Sequence, residues 1–165
     1  MPSRLAALLR TCLFGAVFLL LVLVLLPNWF GVTASDGHWS GWRLAGLLPL
    51  VVGAAIVLWC AFAFSWYATG TPAPFDPPRK LVVQGLYRYC RNPMYWGLAL
   101  LLVGEFMIWA QRLREALIFL AVIALCVNLF VLFFEEPTLR RKFGAAYDAY
   151  CRAVPRWWWR MRAFE

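Results

Sequence analysis

The chain carries the stretch LVVQGLYRYCRNPMY from Leu81 to Tyr95, directly before a run of apolar residues. A glycine, two tyrosines and a basic Arg-Asn-Pro turn lead into that run, and a further tyrosine follows the turn. Anchoring in a membrane requires only apolar length, so this order of residue types is not explained by anchoring. The stretch therefore indicates a functional site at the start of a membrane helix.

The composition of the whole chain indicates an integral membrane protein. Of its 165 residues, 64% are apolar and only 15% are charged, which leaves too little polar surface for a soluble domain. Only the second and fourth of the four apolar runs have the length of about 20 residues that a bilayer requires. We expect one all-α domain over residues 1–165, a polytopic bundle of about four transmembrane helices, with three as the alternative. The runs are Thr11 to Leu26, Leu44 to Tyr67, Met94 to Ala110 and Ala116 to Phe134.

Two short features predict how the third and fourth runs are arranged. Pro93 suits the first turn of the third span. The short connection Gln111 to Glu115 predicts that the third and fourth spans form an antiparallel hairpin, which would bring Tyr95 and Glu135 near each other.

The N-terminal run also has the charged start of a secretory signal, with Arg4 and Arg10 before the apolar core. No small-x-small cleavage site follows closely, and Asn28 to Trp29 interrupts the run. We therefore expect an uncleaved first helix.

The distribution of basic residues predicts the orientation. Of the sixteen lysines and arginines, thirteen lie before the first run, between the second and third, or after the fourth. Arg43, Arg112 and Arg114 lie on the other side. By the positive-inside rule both termini and the loop around Gly85 are cytoplasmic, and we expect the bacterial inner membrane as the location. The net charge of +8 then reflects topology and attraction to anionic lipid, so no nucleic-acid partner is implied.

A second informative stretch, EEPTLRRKFGAAYDAYCRAVPR, follows the last apolar run from Glu135 to Arg156. Pro137 should kink or restart the helix there. Beyond it, apolar and aromatic residues recur at helical spacing, which predicts an amphipathic cytoplasmic helix that lies on the membrane or folds back over the bundle. Those residues are Leu139, Phe143, Tyr147 and Tyr150.

Together the two stretches resemble the membrane methyltransferase family that includes isoprenylcysteine carboxyl methyltransferases and phospholipid N-methyltransferases. The family's first motif reads G-x-Y-x-x-x-R-[HN]-P-x-Y, as Gly85 to Tyr95 does here. Its second is an acidic pair followed by Leu, Phe-Gly, two tyrosines and Val-Pro. The motifs fall within residues 79–156, and such a multi-part match is more specific than one short motif.

The resemblance implies S-adenosyl-L-methionine as the cofactor and a lipophilic small molecule or lipidated compound as the acceptor. It implies Glu135 as the candidate catalytic residue, which anchors the cationic end of the cofactor or orients the acceptor. Taken singly, the tyrosines could be interfacial belt residues, Asn92 a turn residue, and Glu135 the end of a span. The implied cofactor-binding residues are Lys80, Leu81, Val82, Tyr87, Asn92, Pro93, Met94, Tyr95 and Glu135.

The chain departs from prenylcysteine carboxyl methyltransferases just before Glu135. Those enzymes place an arginine about one helical turn upstream of the acid, whereas here the turn is Val131 to Phe134. A neutral, lipidic or cationic acceptor is therefore favoured over a carboxylate.

Two other classes of function stay open. The scaffold also resembles membrane sterol reductases, and basic residues near the first motif could meet the 2'-phosphate of NADPH. A non-enzymatic membrane subunit is the third possibility. No metal site is expected, because His38 is the only histidine and the five cysteines show no C-x-x-C spacing. The basic residues are Arg79, Lys80, Arg88 and Arg91.

Three further features have structural interpretations. Glu105, inside the third apolar run, is expected near the outer interface beside Arg112 or Arg114. Asn128 is expected to make a hydrogen bond between helices. The triplet Trp157 to Trp159 is interpreted as an interfacial anchor.

Overall fold

The computed structural model describes residues 9, 13, 15–31, 41–67, 80–110 and 112–164. Within these ranges the chain is helical and contains no β-strand. A 3-10 turn at Gly85–Arg88 lies between the helices Leu47–Tyr67 and Pro93–Trp109. The helices are α1 (Gly15–Trp29), α2 (Gly41–Leu44), α3 (Leu47–Tyr67), α4 (Pro93–Trp109), α5 (Leu113–Phe143) and α6 (Ala145–Ala153).

Two helices of the described chain, α3 with 21 residues and α5 with 31, are long and apolar enough to cross a membrane. The helices α1 and α4 are apolar but shorter. At 1.5 Å per residue, the 17 residues of α4 extend about 25 Å, against a hydrocarbon core of about 30 Å. The all-helical class is confirmed, and the number of four spans stays a prediction.

Glycines bring α3 and α4 into backbone contact. A Cβ atom on Gly53 would lie 2.6 Å from the carbonyl oxygen of Gly97, and one on Gly104 would lie 2.7 Å from that of Gly46. Gly46, just before α3, and Gly53 are seven residues apart, as are Gly97 and Gly104 of α4, so each pair recurs on one face. Small residues at this spacing allow the close helix approach common in membranes.

A second contact joins α4 to α1 and α5 near the short α4–α5 connection. Leu102 and Phe106 of α4 are buried against Val22 of α1 and against Ala116 and Phe119 of α5. The Phe106 and Phe119 rings meet edge to face, with centroids 5.6 Å apart. The expected antiparallel arrangement of the third and fourth apolar runs is therefore present.

The environment of Glu105 differs from the expectation. Its Oε2 atom is buried and has no hydrogen-bond partner among the described residues. The expected contact with Arg112 or Arg114, at the start of α5, is not found among the described residues.

Two helix boundaries also differ. Helix α1 continues through Pro27 to Trp29 rather than ending at Leu26, and a π-helical turn at Leu20–Leu25 precedes the proline. Helix α5 passes through Pro137 without ending. A π-helical turn at Val131–Glu135 precedes the proline, and regular α-helical bonding resumes at Glu136.

The amphipathic segment after Pro137 is two helices rather than one. Gly144 has φ of 52° and separates the end of α5 from α6, and Arg140 pairs with Asp148 across the break at 2.8 Å. The apolar faces still converge: Tyr147 and Tyr150 are buried together with Val154. The segment packs on the loop before α4 through Leu81 and Val83, and its position relative to the membrane stays a prediction.

Residues 154–164 form an irregular segment that we call the C-terminal strap. It runs along the loop that contains the 3-10 turn and bonds to it through main-chain atoms. The amide of Arg91 donates to the carbonyl of Pro155, the amide of Arg160 to that of Tyr89, and the amide of Phe164 to that of Arg88, each at 3.0 Å. The loop before α4 is thereby held on one side by the strap.

Candidate active site

The loop before α4 has a conformation that requires glycine. Gly85 has φ of 56°, and a Cβ atom there would lie 1.9 Å from the Trp59 indole of α3. The 3-10 turn that starts at Gly85 then brings the chain to α4. Because Gly85 has no side chain, the first motif can pack directly against α3.

Asn92 and Pro93 start α4 as the sequence predicts, with Pro93 in the first turn. The Asn92 side chain is buried and does not cap the helix. Its Nδ2 donates to the carbonyl oxygen of Arg156 at 3.2 Å. Asn92 therefore connects the first motif to the strap.

Tyr95 and Glu135 join the two motifs. The Tyr95 hydroxyl donates to Oε2 of Glu135 at 2.9 Å. Both residues are half-buried, which leaves them within reach of a ligand. Oε1 of Glu135 receives no hydrogen bond from the described residues.

Glu136 has a different environment from its neighbour, because consecutive residues of a helix point in different directions. It is 5% exposed and accepts two hydrogen bonds from Arg156, at 2.6 and 2.8 Å. Arg91 donates to the same carboxylate at 2.8 Å. The bond to Glu136 raises the pKa of the Arg156 guanidinium, so this group stays charged. Glu136 thus connects the first motif, α5 and the strap.

Tyr87 lies in the core and not at the surface of the site. Its ring packs edge to face on Phe64 of α3, with centroids 5.6 Å apart, and its carbonyl oxygen accepts the Tyr150 hydroxyl at 2.6 Å. Burial raises the pKa of the Tyr87 hydroxyl well above its ordinary value, so the phenol stays protonated. A contact of this residue with a cofactor stays a prediction.

The remaining predicted site residues lie around this core. Val82 is buried with Cys60 and Tyr87, and Met94 packs against the same cluster. Leu81 packs against the α6 cluster. Lys80 is exposed. The structure thus places Tyr95 and Glu135 in contact and gives Val82, Met94 and Leu81 apolar packing positions.

Trp157 and Asn128, near the site, have partners that the sequence pattern does not predict. The Nε1 atom of Trp157 donates to Oδ1 of Asn128 at 3.0 Å. The main-chain carbonyl oxygen of Trp157 accepts a hydrogen bond from Nε1 of Trp96 at 2.8 Å. Trp157 is thus bonded to α4 and α5, whereas Trp158 is 78% exposed, and the interfacial anchor stays a prediction. Asn128 bonds to the strap and not to another helix. The one feature of the sequence that pointed to a polar contact here was a single asparagine within an apolar run.

The two acidic residues of the site have partners of different charge. The negative charge of Glu136 is neutralised by two arginines, while Glu135 faces only a neutral hydroxyl. A half-buried carboxylate without a cationic partner in the described chain suits a cationic group on a ligand. The ring of Tyr95 lies beside it, and aromatic faces also attract cations.

These features define a helical membrane protein with a polar site between the start of α4 and the end of α5. The family model for phospholipid methyltransferase matches residues 42–146, which is more than half of the chain. The chain therefore belongs to the phospholipid methyltransferase family, and the resemblance found in its motifs is confirmed. No curated protein and no solved structure matches it significantly.

Proposed function

We propose that this protein transfers a methyl group from S-adenosyl-L-methionine to a lipidic or amphipathic acceptor at the cytoplasmic face of the membrane. Membership of a methyltransferase family supports the reaction type. The observation that carries the proposal is the hydrogen bond between Tyr95 and Glu135, since it joins both motifs at one half-buried carboxylate.

The residues of the site fit this cofactor. When bound, S-adenosylmethionine supplies a methyl group on a positively charged sulfur. Glu135 offers a carboxylate oxygen that no described residue uses, and Tyr95 holds that carboxylate in place. Methyl transfer is an in-line displacement in which positioning provides much of the rate enhancement. The chain contributes orientation and exclusion of water.

The surface next to Glu135 supports an acceptor that arrives from the bilayer. Leu132, Phe133 and Phe134 precede the acid on α5, and all three are exposed. The nearby arginines Arg91 and Arg156 are both bound to Glu136. An acceptor at Glu135 therefore meets an apolar approach, which suits a lipid tail better than a free carboxylate.

We expect that Glu135→Gln weakens the binding of S-adenosylmethionine at least tenfold, about 1.4 kcal/mol, because a charge-assisted contact is lost. Isothermal titration in detergent micelles measures the affinity. Glu115→Gln, at the other end of α5, is the control and should bind as the wild type does. Unchanged affinity and turnover in Glu135→Gln would remove this residue from the site.

The proposed arrangement has four spans with both termini in the cytoplasm of a bacterium. We expect that a cysteine replacing the exposed Arg141, in a background without native cysteines, reacts with a membrane-impermeant maleimide only after the membrane is opened. A cysteine at Arg112, before α5, is the control and should react from outside. The opposite labelling pattern would show that the orientation is the reverse of the one proposed.

Two of the four basic residues considered for the 2'-phosphate of NADPH already have partners, which favours the methyltransferase over the reductase. Arg91 is bound to Glu136, and Nε of Arg88 donates to the carbonyl oxygen of Phe164 at 2.5 Å. Of the four basic residues considered for a 2'-phosphate, Arg79 lies outside the described residues and Lys80 is exposed. Titration with NADPH beside S-adenosylhomocysteine separates the reductase, the methyltransferase and a subunit that binds neither.

A further inference from the structure

The indole of Trp157 stands at the edge of the Tyr95–Glu135 pair. Its ring meets the Tyr95 ring edge to face, with centroids 6.2 Å apart and planes inclined by 63°. Bonds to Asn128 of α5 and Trp96 of α4 fix both the ring and the main chain of Trp157. The ring therefore has a defined position beside the proposed site.

Trp157 lies on the strap, beyond residue 146, where the match to the family model ends. The strap is tied to the loop before α4 by main-chain and side-chain bonds from Arg88 to Asn92. A segment outside the matched range thus supplies a side chain that contacts a residue of the first motif.

Building on the proposed function, we propose that Trp157 is a positioning residue for the acceptor: its ring forms a fixed apolar wall beside Tyr95, and the apolar part of a lipid packs on this wall so that the polar end lies at Glu135. The ring is half-buried, so one part is available to a ligand while the other packs on Tyr95. A tryptophan with its polar atom satisfied by Asn128 presents an apolar face to the site.

The position of Asn128 supports this role. It is the one amide side chain in the apolar run from Ala116 to Phe134, and such a group is costly in a membrane unless it is bonded. Its bond orients the indole, which also contacts the ring of Tyr95, and the Tyr95 hydroxyl in turn bonds to Glu135. Fixing a reactant in one orientation is the main contribution that a protein makes to a displacement reaction.

The test compares Trp157→Ala with Trp158→Ala, which removes the adjacent and largely exposed indole. The full chain is studied in mixed micelles of detergent and phosphatidylethanolamine, a phospholipid with a nucleophilic amine. Three quantities are measured: the affinity for S-adenosylhomocysteine by titration, the lipid retained in native mass spectrometry, and the KM and kcat of methyl transfer.

For Trp157→Ala we expect at least a tenfold rise in the KM for the lipid and a matching loss of retained lipid. Affinity for S-adenosylhomocysteine should stay within threefold. Trp157→Phe, which keeps a ring but loses the bond to Asn128, should lie between the wild type and Trp157→Ala. Trp158→Ala should equal the wild type in all three quantities.

Unchanged lipid retention in Trp157→Ala would overturn the proposal, because the ring would then have no role in lipid binding. An equal loss of lipid and S-adenosylhomocysteine would also overturn it, because the ring would then only support the fold. If Trp157→Ala does not fold, Trp157→Phe and Asn128→Leu decide the question by the same measurements. If the wild type binds no S-adenosylhomocysteine, the proposed function fails. Lipid retention still decides the role of Trp157 in that case.

Discussion

Glu136→Gln is expected to lower the free energy of unfolding by about 3–5 kcal/mol, the range for breaking a buried ion pair by removing one partner. The carboxylate side chain is 7% exposed, and the Arg91 and Arg156 side chains are 11% and 30% exposed. Without the carboxylate, two positive charges remain close together with no counterion. Unfolding of the protein in micelles, followed by circular dichroism, measures the loss.

The matched control is Asp148→Asn, which breaks the exposed pair with Arg140. Both side chains there are about half exposed, at 42% and 53%, so water and salt screen the pair and its loss should change stability little. Equal effects of Glu136→Gln and Asp148→Asn would show that Glu136 does not hold the two motifs together. Glu136→Asp should recover part of the loss, since it keeps the charge.

Gly53→Ala is expected to cost about 1–3 kcal/mol, the range for inserting atoms into a well-packed interior. Its new methyl group would meet backbone atoms of α4, the oxygen of Gly97 at 2.6 Å and the nitrogen of Leu101 at 2.8 Å. Backbone atoms cannot move aside as a flexible side chain can, so the two helices must separate.

Gly15→Ala is the control for this substitution, because a Cβ atom at Gly15 meets no atom of the described residues within 4 Å. It should leave stability unchanged or raise it slightly, as alanine favours helix more than glycine does. The same unfolding measurement in micelles compares the two variants. A Gly53→Ala protein as stable as Gly15→Ala would contradict the close packing of α3 on α4.

The sequence predicted the parts of this fold that depend on local pattern. Apolar runs predicted the helices, Pro93 predicted the start of α4, and the short connection before α5 predicted that Tyr95 and Glu135 could meet. The spacing of glycines is a further local pattern: Gly46 and Gly53 are seven residues apart, as are Gly97 and Gly104. That repeat indicates which faces of α3 and α4 pack.

The strap could not be predicted in the same way. Residues 154–164 have no helical or strand period, and their bonds to the loop before α4 use main-chain atoms that every residue carries. Sequence alone likewise gives no reason to assign Glu136, rather than Glu135, to Arg91 and Arg156. Which acid faces which partner depends on the direction of each side chain along α5, and the π-helical turn at Val131–Glu135 shifts that direction.

The side-chain bonds of the site join residues far apart in the chain. Tyr95 and Glu135 are 40 positions apart, Asn92 and Arg156 are 64, and Arg88 and Phe164 are 76. Contacts of such long range form slowly, because a large loop must close before any of them is made. We therefore expect the helices to insert and pair first and the site to assemble as the last step of folding. On partial unfolding, the site should be the first region to open.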